Sequence, residues 1–149
     1  MKIVIIGTGN TATVLGKRVK MAGHNILQVF GRNDGEAKAL ALELDSKPIS
    51  DFSNINPGAE IYLMAVSDDA IADVSKSLPV KDKILVHTAG AVSIDILKKA
   101  SSHYGVLYPL QSLRKEMESL KDKKRTACLY GDNCDNSIVF DYEDVAEAV

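Results

Sequence analysis

Gly7, Gly9 and Ala12 stand in Ile-Gly-Thr-Gly-Asn-Thr-Ala, directly after a short apolar run from Ile3 to Ile6. This is G-x-G-x-x-A placed between an apparent strand and an apparent helix, the context in which the pattern has chemical meaning. The first glycine permits a tight turn, the second lets the backbone approach a pyrophosphate, and the small third residue lets helix and strand pack closely. The N–H groups that open the helix have no intrahelical acceptor, and the helix dipole adds partial positive charge there. A diphosphate is the natural ligand, with Gly7, Thr8, Gly9, Asn10, Thr11 and Ala12 as its candidate contacts. The same pattern also serves as a plain strand-to-helix turn that binds nothing.

In sites that prefer NAD, an acidic residue about 20 residues past the glycines accepts hydrogen bonds from the ribose hydroxyls. Here the second apolar run ends in Val29-Phe30-Gly31-Arg32-Asn33. Gly31 or Arg32 takes the carboxylate's place, and arginine offers a planar cationic fork suited to a 2′-phosphate. Arg32 and Asn33 therefore point to NADP rather than NAD, although Asp34 could restore a ribose acceptor if its loop turns inward. The missing acid also weighs against S-adenosylmethionine.

Ligands of an open parallel sheet collect outside the carboxyl ends of its strands. Those ends read Ala65-Val66-Ser67-Asp68-Asp69, His87-Thr88-Ala89-Gly90 and Tyr108-Pro109-Leu110-Gln111. Val66, Ser67 and Ile71 are expected near the adenosine and riboses, and Thr88 to Ala91 nearer a nicotinamide. Asp68 or Asp69 equally suits a helix cap. His87 is the candidate for proton exchange with a carbonyl or imine; a buried histidine satisfied by backbone is the alternative. His24, His87 and His103 lack close metal-ligand spacing, so no metal is expected. No Tyr-x-x-x-Lys pair, G-x-x-x-x-G-K-[ST] loop or G-x-S-x-G elbow occurs, which removes several common enzyme classes.

The elements that would position these residues alternate in kind. Strands are expected at Lys2–Ile6, Asn25–Phe30, Lys47–Ser50, Ile61–Val66, Ile84–His87 and Gly105–Tyr108. Helices are expected at Thr11–Ala22, stopped by Gly23, at Gly35–Leu44, from Asp68 or Asp69 through Ser77, and from Ser93 through Lys99. Gly16 in the first helix interior implies close packing on the sheet. This alternation predicts an α/β, doubly wound, mostly parallel sheet with helices on both faces, Rossmann-like in design. Residues 113–125 read as a charged connector, and residues 126–149 as a strand at Thr126–Tyr130 followed by a helix over Asn136–Val149.

The 149 residues suffice for one domain, and 18 basic against 20 acidic side chains leave a net charge of −2. Neither nucleic acid nor an anionic membrane is an expected partner. The apolar runs are too short to span a bilayer. Cys128 and Cys134 fit neither a disulfide framework nor a four-ligand zinc site; a cytoplasmic protein is expected.

The segments Met1–Asn10, Gly31-Arg32, Ala65–Ile71, His87–Gly90 and Tyr108–Ser112 together resemble a bacterial family of Rossmann-like NADP oxidoreductases of undefined substrate. They are similar, more distantly, to pyrroline-5-carboxylate reductase and deazaflavin-dependent NADP oxidoreductase. The resemblance covers about residues 1–112. It implies dinucleotide contacts for Gly7, Gly9, Asn10, Ala12, Arg32 and Ser67 and a substrate-side position for His87 and Thr88. It also implies a dimerising helical domain beyond Val149 that this chain lacks. The expected function is an NADP-dependent oxidoreductase, or its cofactor-binding domain, moving hydride to or from a small carbonyl or imine substrate. The alternatives are a non-catalytic dinucleotide-binding or redox-sensing module, and a domain of this fold without cofactor.

Overall fold

The computed structural model describes residues 1–109, 126–131 and 138–141. Its strands are β1 (Lys2–Ile6), β2 (Asn25–Phe30), β3 (Lys47–Ile49), β4 (Ile61–Met64), β5 (Ile84–His87), β6 (His103–Pro109), β7 (Thr126–Gly131) and β8 (Ile138–Asp141). Its helices are α1 (Asn10–Met21), α2 (Asp34–Glu43) and α3 (Asp68–Ser77), with 3₁₀ turns at Phe52–Asn54 and Ile94–Leu97. The strands form one sheet in the order β3-β2-β1-β4-β5-β6-β7-β8. Strands β1 to β6 are parallel, and β7 and β8 extend the β6 edge antiparallel. This is the expected α/β architecture, with a reversal of strand order between β1 and β4.

Burial explains why the inner strands read as unbroken apolar runs. Along β1, Ile3 and Ile5 pack on one face with Leu15, Leu40 and Leu44 of the α1–α2 layer. Val4 and Ile6 pack on the other with Ile71 and Leu97. A strand covered on both faces has no position left for polar alternation. Gly16 lets α1 lie close: a Cβ there would meet Leu44 Cδ1 at 2.6 Å and Ile5 Cδ1 at 2.9 Å. The same helix ends where Gly23 was expected to stop it. Gly23 takes φ +86, its N–H bonds to the Lys20 carbonyl, and the His24 N–H bonds to the Val19 carbonyl; this pair of bonds satisfies the last turn's orphan acceptors.

Two expectations are corrected. The helix expected over Asn136–Val149 is contradicted at Ile138–Asp141, which forms β8 and pairs with β7 from Leu129↔Ile138 to Thr126↔Asp141. Ile138, Val139 and Phe140 are β-branched or aromatic residues, and the unpaired edge of β7 offers their backbone a ladder. The rest of that segment and the connector at 113–125 lie outside the described residues. The cap of α3 is Ser67, one residue earlier than Asp68 or Asp69, which instead occupy its first turn.

The turn after β1 presses against the end of β4. Gly7 takes φ +125, and a Cβ on it would sit 2.2 Å from the Ala65 carbonyl oxygen. Its N–H bonds to the Phe30 carbonyl at 2.9 Å, while the Ala65 N–H bonds to the Ile6 carbonyl at 2.8 Å. Gly7→Ala is expected to cost more than about 2 kcal/mol, because backbone strain and steric overlap coincide. Gly23→Ala, strained in φ but with open space around its Cβ position, should cost about 1 kcal/mol. Urea unfolding of both variants checks the difference; equal losses would show that the Ala65 contact does not matter.

Candidate functional site

Between the ends of β1, β2 and β4 lies a groove of about 670 Å³, within the range of pockets that take small ligands and cofactors. Its lining includes Gly7, Thr8 and Gly9 of the first turn, Arg32 and Asn33 after β2, and Val66 and Ser67 after β4. These seven residues, scattered over 60 positions of sequence from Gly7 to Ser67, were all expected at a dinucleotide, and the fold brings them to one surface. A Cβ on Gly9 would meet nothing within 4 Å, so its backbone faces open space.

The three helix starts differ in a way that matters chemically. Helix α2 is capped by Asn33, whose Oδ1 accepts from the N–H groups of Gly35 and Glu36 at 2.9 and 3.2 Å, and it carries Asp34 and Glu36 in its first turn. Helix α3 carries Asp68 and Asp69 there. Helix α1 has Gly9 as its cap, which supplies no side chain, and no acid in its first turn. Nothing in α1's own first turn therefore neutralises its dipole. The open backbone at Gly9 and the uncompensated start of α1 suit the diphosphate of a dinucleotide.

The remaining expected contacts are placed differently. Asn10 is exposed and Thr11 half-buried at the start of α1, whereas Ala12 is wholly buried against the sheet, the packing role expected of it. Ile71 is also wholly buried, in the core beneath α3, and does not line the groove. Thr88 is half-buried and lies outside the lining, its N–H bonded to the Met64 carbonyl at 3.1 Å. Asp34 does not turn inward. Its exposed carboxylate pairs with Lys38 Nζ at 2.9 Å, and that ammonium holds its pKa below the usual carboxylate range.

Besides the α3 residues Asp73, Val74 and Ser77, sequence reasoning missed two parts of the groove. One is Glu36, whose Oε2 accepts from the Thr8 hydroxyl at 2.8 Å. The only hint was its place three residues after the helix cap, where a glutamate ordinarily reaches back to the cap's backbone. The other is Phe52, which stacks on Phe30 with centroids 3.9 Å apart and planes 12° apart. Its loop is held by buried Gln28, which donates to the Asn54 carbonyl at 2.9 Å and accepts from the Asn56 N–H at 2.7 Å. The Tyr62 hydroxyl adds a bond to the Asn56 carbonyl at 2.6 Å.

His87 ends β5 as expected, yet its ring is wholly buried and follows Leu85 in pointing to the α3 face by strand alternation. Nδ1 accepts from the Ala89 N–H at 3.2 Å, which leaves the proton of the neutral ring on Nε2; that atom has no hydrogen-bond partner among the described residues. In this arrangement the imidazole holds the turn after β5 and does not open onto the groove. No group of three or more metal-ligating side chains and no helix long and apolar enough to cross a membrane occurs among the described residues.

Residues 2–90 match the family model described as NADP oxidoreductase, coenzyme F420-dependent. A solved structure of a Bacteroides fragilis protein provisionally classed as an NADP oxidoreductase superimposes with TM-score 0.83 at 27% identity, over 99% of this chain and 56% of that one. A Thermotoga maritima protein gives TM-score 0.69 at 25% identity, over 87% of this chain and 49% of that one. The pyrroline-5-carboxylate reductase of Streptococcus pyogenes gives TM-score 0.63 at 20% identity, over 73% and 42%, a likeness of fold alone. The chain thus spans about half the length of the solved structures it matches. No curated protein matches the sequence.

Burial lowers the His87 pKa from 6.5, with the Ser93 backbone and the charge of Asp68 opposing more weakly. Below about pH 6.5 the unfolded chain takes up a proton that the folded ring resists, so His87 makes stability fall as pH falls. His87→Leu is expected to flatten the difference between urea midpoints measured at pH 7.5 and 5.5. An unchanged difference would mean that the folded ring protonates freely.

Proposed function

The chain belongs to the family described as NADP oxidoreductase, coenzyme F420-dependent, and we propose that its groove binds NADP(H) as the cofactor-binding part of an oxidoreductase. The observation that carries this is the first turn of α1, which lacks both a capping side chain and an acid and opens onto the groove beside Gly9. Thr8 and Gly9 would hold the diphosphate through backbone N–H groups, while Gly7, whose N–H is bonded to the Phe30 carbonyl, shapes the turn. Ser67, the cap of α3, makes no side-chain capping bond, so its hydroxyl can serve the ligand. Phe52 and Val74 line the same groove and offer apolar surface to an adenine.

Arg32 is the group proposed for the 2′-phosphate. It is exposed at the groove, and none of the ion pairs among the described residues involves it. The step from β2 into α2 leaves no side chain between it and the phosphate turn: a Cβ on Gly31 would lie 2.5 Å from Thr8 Cγ2 and 3.0 Å from Ala37 Cβ. The ribose-binding acid of NAD-selective sites therefore has no room at residue 31.

When bound, the nicotinamide supplies hydride chemistry toward a small carbonyl or imine. This chain's share is to bind and orient. His87 acts as a positioning residue, fixing the Thr88–Gly90 turn through Ala89. A module that senses redox state without turnover is the second reading, favoured by the burial of His87 away from the groove.

Fluorescence titration tests the assignment. Wild type is expected to bind NADPH at micromolar concentrations, and Arg32→Ala to weaken NADPH by about tenfold or more while changing NADH by less than about twofold. No binding at millimolar NADPH would refute the cofactor, and equal losses for the two nucleotides would refute the role of Arg32. Turnover of carbonyl or imine substrates decides between the oxidoreductase and the sensor.

A further inference from the structure

Arg32 is not the only charge that a 2′-phosphate would meet in the groove. Its lining holds one cation, Arg32, against three carboxylates, Glu36, Asp69 and Asp73. Asp73 has an ammonium partner in Lys76 at 3.5 Å. Glu36 is placed more pointedly. Its carboxylate is tied by the Thr8 hydroxyl, at 2.8 Å, to the glycine turn itself. The Thr8 methyl meanwhile fills the space beside Gly31, where a ribose-binding acid would otherwise project. An acid thus reaches this wall of the groove from α2 instead of from β2.

We propose that Glu36, fixed by Thr8, sets cofactor selectivity by opposing Arg32. It offers an acceptor to a free 2′-hydroxyl and repels a 2′-phosphate, so that the groove admits both nucleotides with a muted preference. This rests on the assignment of the groove to a pyridine dinucleotide. A fixed carboxylate costs nothing to a neutral ribose and can accept its hydroxyl proton in a hydrogen bond. A phosphate brought to the same wall meets like charge, with the arginine as its one compensating cation among the lining residues. The tether to Thr8 matters because a free glutamate would swing into water and relieve the repulsion.

The test is a pair of fluorescence titrations, with NADPH and with NADH, on wild type, Glu36→Gln and Thr8→Val. Glutamine keeps the shape and an oxygen for Thr8 but removes the charge. Glu36→Gln is expected to tighten NADPH by about fivefold and to leave NADH unchanged or weaker, with the gain shrinking as salt rises to about 0.5 M. Thr8→Val, which keeps the methyl beside Gly31 and replaces the hydroxyl that holds the carboxylate, should give a smaller gain of the same sign. If both nucleotides bind and neither variant moves the NADPH to NADH ratio, Glu36 has no selecting role and the assignment of the groove survives. If wild type binds neither nucleotide, the assignment itself falls, and this inference with it.

Discussion

The close contact between the Gly7 turn and the end of β4 is the constraint on which the rest of the molecule depends. Only a residue without Cβ can bring the chain within this distance of the Ala65 carbonyl, and only at positive φ does the next residue lead into α1. That contact lies where the sheet's strand order reverses, between β1 and β4. On one side, β1 feeds α1 across the face shared with α2; on the other, β4 feeds α3 across the opposite face. The two connections leave in opposite directions, and the crevice between them is the groove. A bulkier turn would push the ends of β1 and β4 apart and widen the floor on which a diphosphate would rest.

Around that contact, polar groups do the work of holding loops that apolar packing cannot reach. Gln28 sits on a buried strand with 8% exposure, a costly place for an amide unless both its ends are bonded. Both ends are spent on the 54–56 backbone, and Tyr62 adds a third bond to the same segment. The loop they hold carries Phe52 to the groove wall. The Oδ1 of Asn33 is likewise committed to the start of α2, so that atom shapes the site through the backbone it caps.

The site is electrostatically divided. The first turn of α1 carries no acid of its own, while Glu36 reaches the adjacent turn through Thr8 and Asp69 and Asp73 line the groove from α3. Such a groove favours a ligand whose negative charge is concentrated at one point and whose remainder is neutral. A dinucleotide has that form along its diphosphate, and the second phosphate at the ribose is where Arg32 and Glu36 pull in opposite directions. His87 belongs to a different layer: buried and neutral, it stabilises the turn after β5, at the same end of the sheet as the groove but inside the core.

The sequence by itself determined the order of elements over residues 1–109, the two-faced burial of the inner strands and the glycine turn. Each of these is written in local spacing: β-branched runs, helical periodicity, and Gly7, Gly9 and Ala12 at fixed offsets. It also pointed to Arg32, because the end of β2 has a fixed distance from the glycines in this kind of fold. Tertiary structure alone decided the pairing of Thr8 with Glu36, 28 residues apart, the stacking of Phe52 on Phe30, and the withdrawal of Ile71 and His87 into the core. It also decided that Ile138–Asp141 is a strand, since a short branched segment takes its conformation from the edge it meets. Spacing along the chain encodes which face a residue takes within its own element; which side chain it meets across the groove depends on how elements far apart in sequence pack together.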